Sequence, residues 1–167
     1  MKIEKVKIFR GSITVDFSNY HESFRISTDD DPSGDLLASS QNVVHAALVV
    51  HGLSGVACKF NTVEISHGEE PGARMTLDVP TQTGEFARIV LPKLSTYQII
   101  DWKNGGVPKV CPQNDFISVF EVFLQFVKEF VHGKRMQMAL PFDGVEEKEE
   151  KPSGLHAIAA DRVLEFR

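Results

Sequence analysis

The stretch that decides the fold is "KIEKVKIFRGSITVDFSNYHESFRIST", residues 2–28. In the middle of it, "SITVDF" (residues 12–17) alternates polar and apolar side chains, and the segments on either side do the same. A period of two places every second side chain on one face of a strand, which predicts strands with one buried and one solvated face. Arg10-Gly11 is typical of a tight turn. The opening therefore predicts a three-stranded antiparallel meander.

The period changes after residue 35. The loop "DDDPSGD" (residues 29–35) cannot extend a strand and suits the cap of a helix. Apolar residues then recur on one helical face over residues 36–51, and Gly52 follows where a helix end favours a left-handed residue. We predict a first helix over residues 36–51. The loop lacks the alternation and the distal glutamate of an EF-hand, so we interpret it as a solvated cap and not as a cation site.

Strands resume in the middle of the chain, with alternating patterns in "VACKF", "TVEIS", "RMTLDV" and "EFARIVLP". A break in the alternation at Asn61-Thr62 predicts a bulge. The strongest helical pattern follows, with a cap at Asn114 or Asp115 and a stop at Gly133. Its apolar residues recur at spacings of three and four: Phe116, Phe120, Phe123, Val127 and Phe130.

This order of elements predicts an α+β fold. We expect a mainly antiparallel sheet of 5–7 strands with two main helices packed on one face, because two amphipathic helices need an apolar layer to cover. We predict a single domain over residues 1–142. The acidic run 143–154 has the composition of a linker, and residues 155–167 predict a short C-terminal helix or tail.

The composition limits the classes of partner. The formal net charge is −5, which argues against direct, sequence-blind nucleic-acid binding, although a local basic patch is compatible with it. The N-terminus has no apolar signal-peptide core, and no apolar run approaches the about 20 residues of a membrane span. We therefore expect a cytoplasmic protein with no membrane partner. The sequence leaves the oligomeric state open.

No catalytic pattern is present. His45 and His51 are six residues apart in the sequence, which is the wrong spacing for a zinc pair on one helix face. Neither Cys58 nor Cys111 belongs to a C-x-x-C pair, and Cys58 alternates like a small core residue. An enzyme would need a pocket that assembles residues such as His45, His51, Cys58 and Asp101. We expect no enzyme activity, no catalytic residue, no cofactor and no metal.

One short motif points to a partner. In "GKRMQMALPFDG" (residues 133–144), Gln137, Met138, Leu140 and Phe142 fit the pattern Q-Φ-x-L-x-Φ, in which Φ is apolar. This pattern resembles the peptide by which bacterial replication and repair proteins dock on the sliding DNA clamp. The resemblance implies that Gln137 bonds at the rim of the clamp's groove and that Met138 leans on its wall. Leu140 and Phe142 would fill its apolar pocket. Leucine is more usual at the position of Met138.

A second resemblance involves the N-terminal strands and the segment that contains the motif. "MKIEKVKIFRGSITVDF" and "GKRMQMALPF" are similar to segments of small phage and prophage proteins of the replication and recombination region. Together the two resemblances imply an accessory protein of DNA metabolism that tethers to the bacterial clamp.

The alternative is a protein-binding or host-inhibitory module that uses a sheet face, with residues 136–142 as a structural edge strand. Exposed apolar residues on the outer face of the sheet would favour this alternative.

Overall fold

The computed structural model describes residues 1–29 and 32–139, with residues 134–139 described by their backbone alone. The chain divides into two compact units, Met1–Arg135 and Met136–Arg167. The predicted domain boundary at residue 142 lies outside the described residues. The elements before the middle of the chain are β1 (Lys2–Phe9), β2 (Ser12–Asn19), β3 (Glu22–Thr28) and α1 (Gly34–Val50). They are followed by β4 (Lys59–Ser66), β5 (Gly72–Pro80), β6 (Phe86–Val90), β7 (Leu94–Ser95), β8 (Ile100–Asp101), β9 (Val107–Pro108) and α2 (Pro112–Ala139).

The main sheet is antiparallel throughout its described strands. Its order is β3-β2-β1-β4-β5-β6. Strand β7 also pairs with β5, at Gly72 and Ala73, which precede the residues of β5 that pair with β6. Strands β8 and β9 form a separate small hairpin. The predicted meander and the α+β fold are confirmed.

Local signals fix the register of the meander and of β4. Arg10 and Gly11 have φ angles of 50° and 82°, and a two-residue hairpin with left-handed backbone at both positions matches the twist of its strands. The predicted bulge is also confirmed, because the pairing of β4 with β5 shifts register between Phe60 and Thr62. Ser33 caps α1, since its side chain accepts a hydrogen bond from the amide of Leu36 at 3.3 Å.

One face of the sheet carries the core. Val6 pairs with Val15 on β2 and with Val63 on β4, and all three side chains are fully buried. The buried faces of both helices join this layer in one hydrophobic core. The buried apolar residues of the helices are Leu36, Val43, Val44, Ala47 and Leu48 on α1 and Phe116, Ile117, Phe120, Phe123, Val127 and Val131 on α2. The placement of both helices on one face of the sheet is therefore confirmed.

The bounds of α2 correct two predictions. Gly133 does not end the helix, which continues to Ala139. A single interior glycine costs a helix only about 1 kcal/mol, and the Lys, Arg, Met and Gln residues that follow it favour helix. The described residues 136–139 are therefore helical, and the edge-strand interpretation is wrong for this part of 136–142. Residues 140–142, the predicted linker 143–154 and the predicted tail 155–167 lie outside the described residues.

Candidate functional site

The predicted docking peptide begins on the last helix. Gln137 and Met138 lie in the final turn of α2, just beyond the end of the first compact unit at Arg135. Leu140 and Phe142 lie outside the described residues. The backbone of the first half of the motif is thus helical, whereas docking in the clamp's groove would need an extended backbone from Gln137 onward.

Two of the residues that an enzyme would need do share a surface cavity. His45 and Cys58 line a cavity of about 280 Å³ against the end of β5, but His51 and Asp101 do not line it. The Cys58 side chain is 7% exposed, and burial raises the pKa of its thiol. A thiol with a raised pKa stays protonated at neutral pH and is a poor nucleophile. The cavity therefore does not present an activated Cys–His pair.

The other two residues have local structural roles. The backbone N–H of His51 bonds to the carbonyl of Ala47 at the end of α1. The Asp101 carboxylate accepts hydrogen bonds from the amide of Lys103 at 3.1 Å and from Asn104 Nδ2 at 2.7 Å, which hold the turn of the small hairpin. Within residues 1–29 and 32–139, no three His, Cys, Asp or Glu side chains converge as a metal site would require.

The small hairpin, residues 99–110, presents exposed apolar side chains, and we call it the apolar hairpin. Trp102, the single tryptophan of the chain, is 80% exposed at its turn. Three further apolar residues of the hairpin are also exposed: Ile99, Val107 and Val110. The Trp102 ring lies along the backbone of Gly106, where an added Cβ would come within 3.4 Å of the ring. That distance is ordinary van der Waals contact, so glycine is favoured at this position by its φ of 77° and not by the ring.

Asn114 fixes the base of the apolar hairpin to the start of α2. Its buried side chain donates from Nδ2 to the carbonyls of Ile99 at 2.8 Å and Lys109 at 2.6 Å. Its Oδ1 accepts the amide of Ile99 at 2.8 Å. The sequence assigned the cap of this helix to Asn114 or Asp115, which is wrong because α2 begins at Pro112. The exposure of Trp102 was not predicted, although a lone tryptophan beside a Gly-Gly pair is a signal that could have indicated it.

The outer face of the main sheet is charged instead of apolar. One row of paired residues crosses five strands with alternating sign: Arg25, Asp16, Lys5, Glu64 and Arg74. Arg25 donates to both Asp16 oxygens, at 2.6 and 3.0 Å, and Lys5 donates to Glu64 at 2.7 Å. The hydrogen bond from Arg25 is the main reason why the pKa of the Asp16 carboxyl lies below its ordinary value.

A second part of the outer face combines cations with aromatic rings, and we call it the cationic end. It comprises Lys7, Phe9, Arg10, Lys59, Phe86 and Arg88. The Lys7 ammonium and the Arg10 guanidinium lie 5.5 and 5.1 Å from the centroid of the Phe9 ring. The Lys59 ammonium lies 5.8 Å from the centroid of the Phe86 ring. These distances are within the range of cation–π attraction.

Asp78 lies in the middle of the cationic end and is 6% exposed. Its Oδ2 accepts a hydrogen bond from Asn61, the residue at the bulge of β4, at 2.8 Å. Its Oδ1 lies 3.5 Å from Arg88 Nε. Sequence reasoning missed the cationic end because its members come from β1, the turn after β1, β4 and β6. Alternation shows which residues share a face of one strand, but not which strands are neighbours.

Comparisons of the chain with protein-family models, curated proteins and solved structures found no match. In the part of the chain that the structure describes, no helix combines the length and apolar character needed to cross a membrane.

Proposed function

We propose that this protein is a non-enzymatic accessory protein of phage or prophage DNA replication or recombination, and that it tethers to the bacterial sliding clamp through residues 137–142. The observation that supports this is the end of the first of two compact units at Arg135, so that the motif begins in the second unit, Met136–Arg167, and not in the unit that holds the sheet. Among residues with described side chains, the last buried core residue of α2 is Val131. A peptide that follows the first compact unit can enter a partner's groove without removing residues from its own core.

The helical backbone at Gln137 and Met138 opposes docking only weakly. The final residues of a helix each contribute at most a few tenths of a kcal/mol, roughly, because helix propagation is close to neutral. Full burial of a leucine or a phenylalanine side chain contributes about 1.5–3 kcal/mol each. Burial of Leu140 and Phe142 in the clamp's pocket would therefore exceed the cost of unwinding the last turn.

A titration tests this proposal. The fluorescently labelled full chain is titrated with purified bacterial sliding clamp, and the complex is then competed with a synthetic peptide of residues 136–143. We expect saturable binding with a Kd below about 100 µM, or roughly −5.5 kcal/mol, and displacement by the peptide. A matched peptide with Leu140→Ala and Phe142→Ala should not displace the chain. Failure to saturate in this range would refute the tether.

A second candidate function is that of a protein-binding or host-inhibitory module. Most of the outer face of the sheet is charged, although Phe86 and Val90 are exposed on β6, and the 80% exposure of Trp102 favours the apolar hairpin as the contact with a protein partner. Clustered exposed apolar side chains mark interaction sites, and tryptophan is enriched among residues that dominate binding energy.

Photo-crosslinking in a bacterial lysate tests the second candidate. We expect a partner that is captured by the unchanged chain and by a Tyr20→Ala control, but lost with Trp102→Ala. Tyr20 is a suitable control because it is a fully exposed aromatic side chain in the turn after β2. Equal capture by all three chains would remove the apolar hairpin as the contact.

A further inference from the structure

The net charge of −5 conceals a local separation of charge on the folded protein. Lys7, Arg10 and Lys59 are exposed at the cationic end, and none of them forms an ion pair within the described residues. The carboxylate of Asp78 is buried there; its Oδ2 accepts a hydrogen bond from Asn61, and its Oδ1 lies 3.5 Å from Arg88 Nε without a hydrogen bond. Three cations that form no ion pair with the described residues therefore lie at one end of a sheet face that no described helix covers.

Two aromatic rings lie among these cations. Phe86 is 49% exposed on the edge strand β6, and Phe9 is half-buried at the end of β1. Each ring has an ammonium or guanidinium group within 6 Å of its centroid. A surface that combines cations with the partly exposed rings of Phe86 and Phe9 offers charge to phosphates and aromatic faces to bases, which is the combination that binds single strands.

We propose that the cationic end binds single-stranded nucleic acid, with bases stacked on Phe9 and Phe86 and phosphates held by Lys7, Arg10 and Lys59. The sheet order across this surface is β1-β4-β5-β6, and neighbouring strands are spaced about 4.8 Å apart, so the surface is about 14 Å wide. Four stacked bases at about 3.4 Å each cover this width. This binding goes beyond the proposed tether and does not depend on it.

The chemistry favours a single strand over its two competitors. In a duplex the base faces are stacked on one another, so they cannot reach Phe9 or Phe86. An acidic protein would be attracted by the same lysines, but it has no repeated planar groups to stack on the rings. Removal of a ring and removal of a cation should therefore have different and separable effects.

The test is fluorescence anisotropy of a labelled (dT)20 oligonucleotide titrated with the full chain at several salt concentrations. Three neutralised phosphates predict a slope of log K against log salt of about −2, since each contributes about −0.7. Lys59→Ala should weaken binding and make the slope shallower by about 0.7. Phe86→Ala should weaken binding about fivefold or more at every salt concentration and leave the slope unchanged.

Two control variants lie elsewhere on the surface. Lys128→Ala removes an exposed cation on α2, and Tyr20→Ala removes an exposed aromatic side chain; both should bind (dT)20 like the unchanged chain. All four substituted side chains are exposed, so the variants should fold. Lack of saturable binding, or equal losses in Lys59→Ala and Lys128→Ala, would overturn the proposal.

A competition experiment separates nucleic acid from acidic protein. Unlabelled (dT)20 should displace the labelled oligonucleotide at much lower charge concentration than polyglutamate does. Equal displacement by polyglutamate would show that charge alone drives binding, which would overturn the stacking proposal in favour of an acidic protein. The clamp is absent from these experiments and residues 137–142 are unchanged in every variant. Neither result therefore bears on the proposed tether, which is tested separately by titration with the clamp.

Discussion

The two faces of the main sheet are built from the same strands in the same register, yet they follow different rules. On the inner face, Val6, Val15 and Val63 form a row that is completely buried. On the outer face, the neighbouring row places Lys5 between Asp16 and Glu64. Burial restricts the inner face to apolar side chains, whereas contact with water allows the outer face to carry charged, polar or aromatic side chains. The residues of the outer face therefore carry more information about binding than those of the core.

The largest change in the free energy of unfolding should come from a substitution in the core on the inner face of the sheet. Phe123 is fully buried, and its ring centroid lies 5.4 Å from that of Phe60 on β4. We expect Phe123→Ala to lower the free energy of unfolding by about 3–5 kcal/mol, because it removes a ring and leaves a cavity. Urea denaturation measures this value. A loss under about 1 kcal/mol would mean that the helix and the sheet are not packed as described.

Asp78 is an exception to the difference between the two faces, because it lies on the outer face and yet is buried. We expect Asp78→Ala to lower the free energy of unfolding by about 1–3 kcal/mol, because it leaves the buried Asn61 amide without its acceptor. The same denaturation experiment measures it. The control Asp78→Asn keeps an acceptor oxygen and should lose less; an equal loss in both variants would show that the hydrogen bond to Asn61 is not the cause.

A smaller effect is expected at Asp16, whose ion pair with Arg25 is exposed to solvent. We expect Asp16→Asn to destabilise the protein at neutral pH by less than Asp78→Ala does. Because the folded-state pKa of Asp16 lies below the ordinary value of 3.8, its contribution is complete above that value and is lost as the pH falls through the lower folded-state pKa. Melting curves of both chains should therefore converge in acid; a constant difference would contradict the assignment.

The smallest effect on stability should come from an exposed cation on the outer face. We expect Lys59→Ala to change the free energy of unfolding by no more than about 0.5 kcal/mol, because the side chain is exposed and forms no ion pair with the described residues. A larger loss in the urea curve would show that this side chain belongs to the core and would weaken the separation of the two faces.

The sequence predicted whatever depends on local periodicity. Alternation located the meander and the core face, and the break at Asn61 located the bulge. The prediction from sequence wrongly ended α2 at Gly133, because a glycine is only a weak helix stop when strong helix formers follow it. The same prediction also missed the cationic end, because Lys7 and Lys59 are brought to one sheet face only by the pairing of β1 with β4, which are far apart in the chain. Trp102 was missed because exposure of a loop residue depends on how the loop is anchored.

The docking peptide is a different case, because its prediction depends on residue identity and not on periodicity. Four side chains at fixed spacing, Gln137, Met138, Leu140 and Phe142, carry the resemblance to clamp-binding peptides. The structure adds that the first compact unit ends before them.

The most direct test is the affinity of the full chain for the bacterial sliding clamp, measured beside that of a Leu140→Ala, Phe142→Ala double variant with the same melting temperature. The tether predicts saturable binding by the unchanged chain and loss of that binding in the variant. Equal affinities of the two chains, or no binding by either, would contradict it.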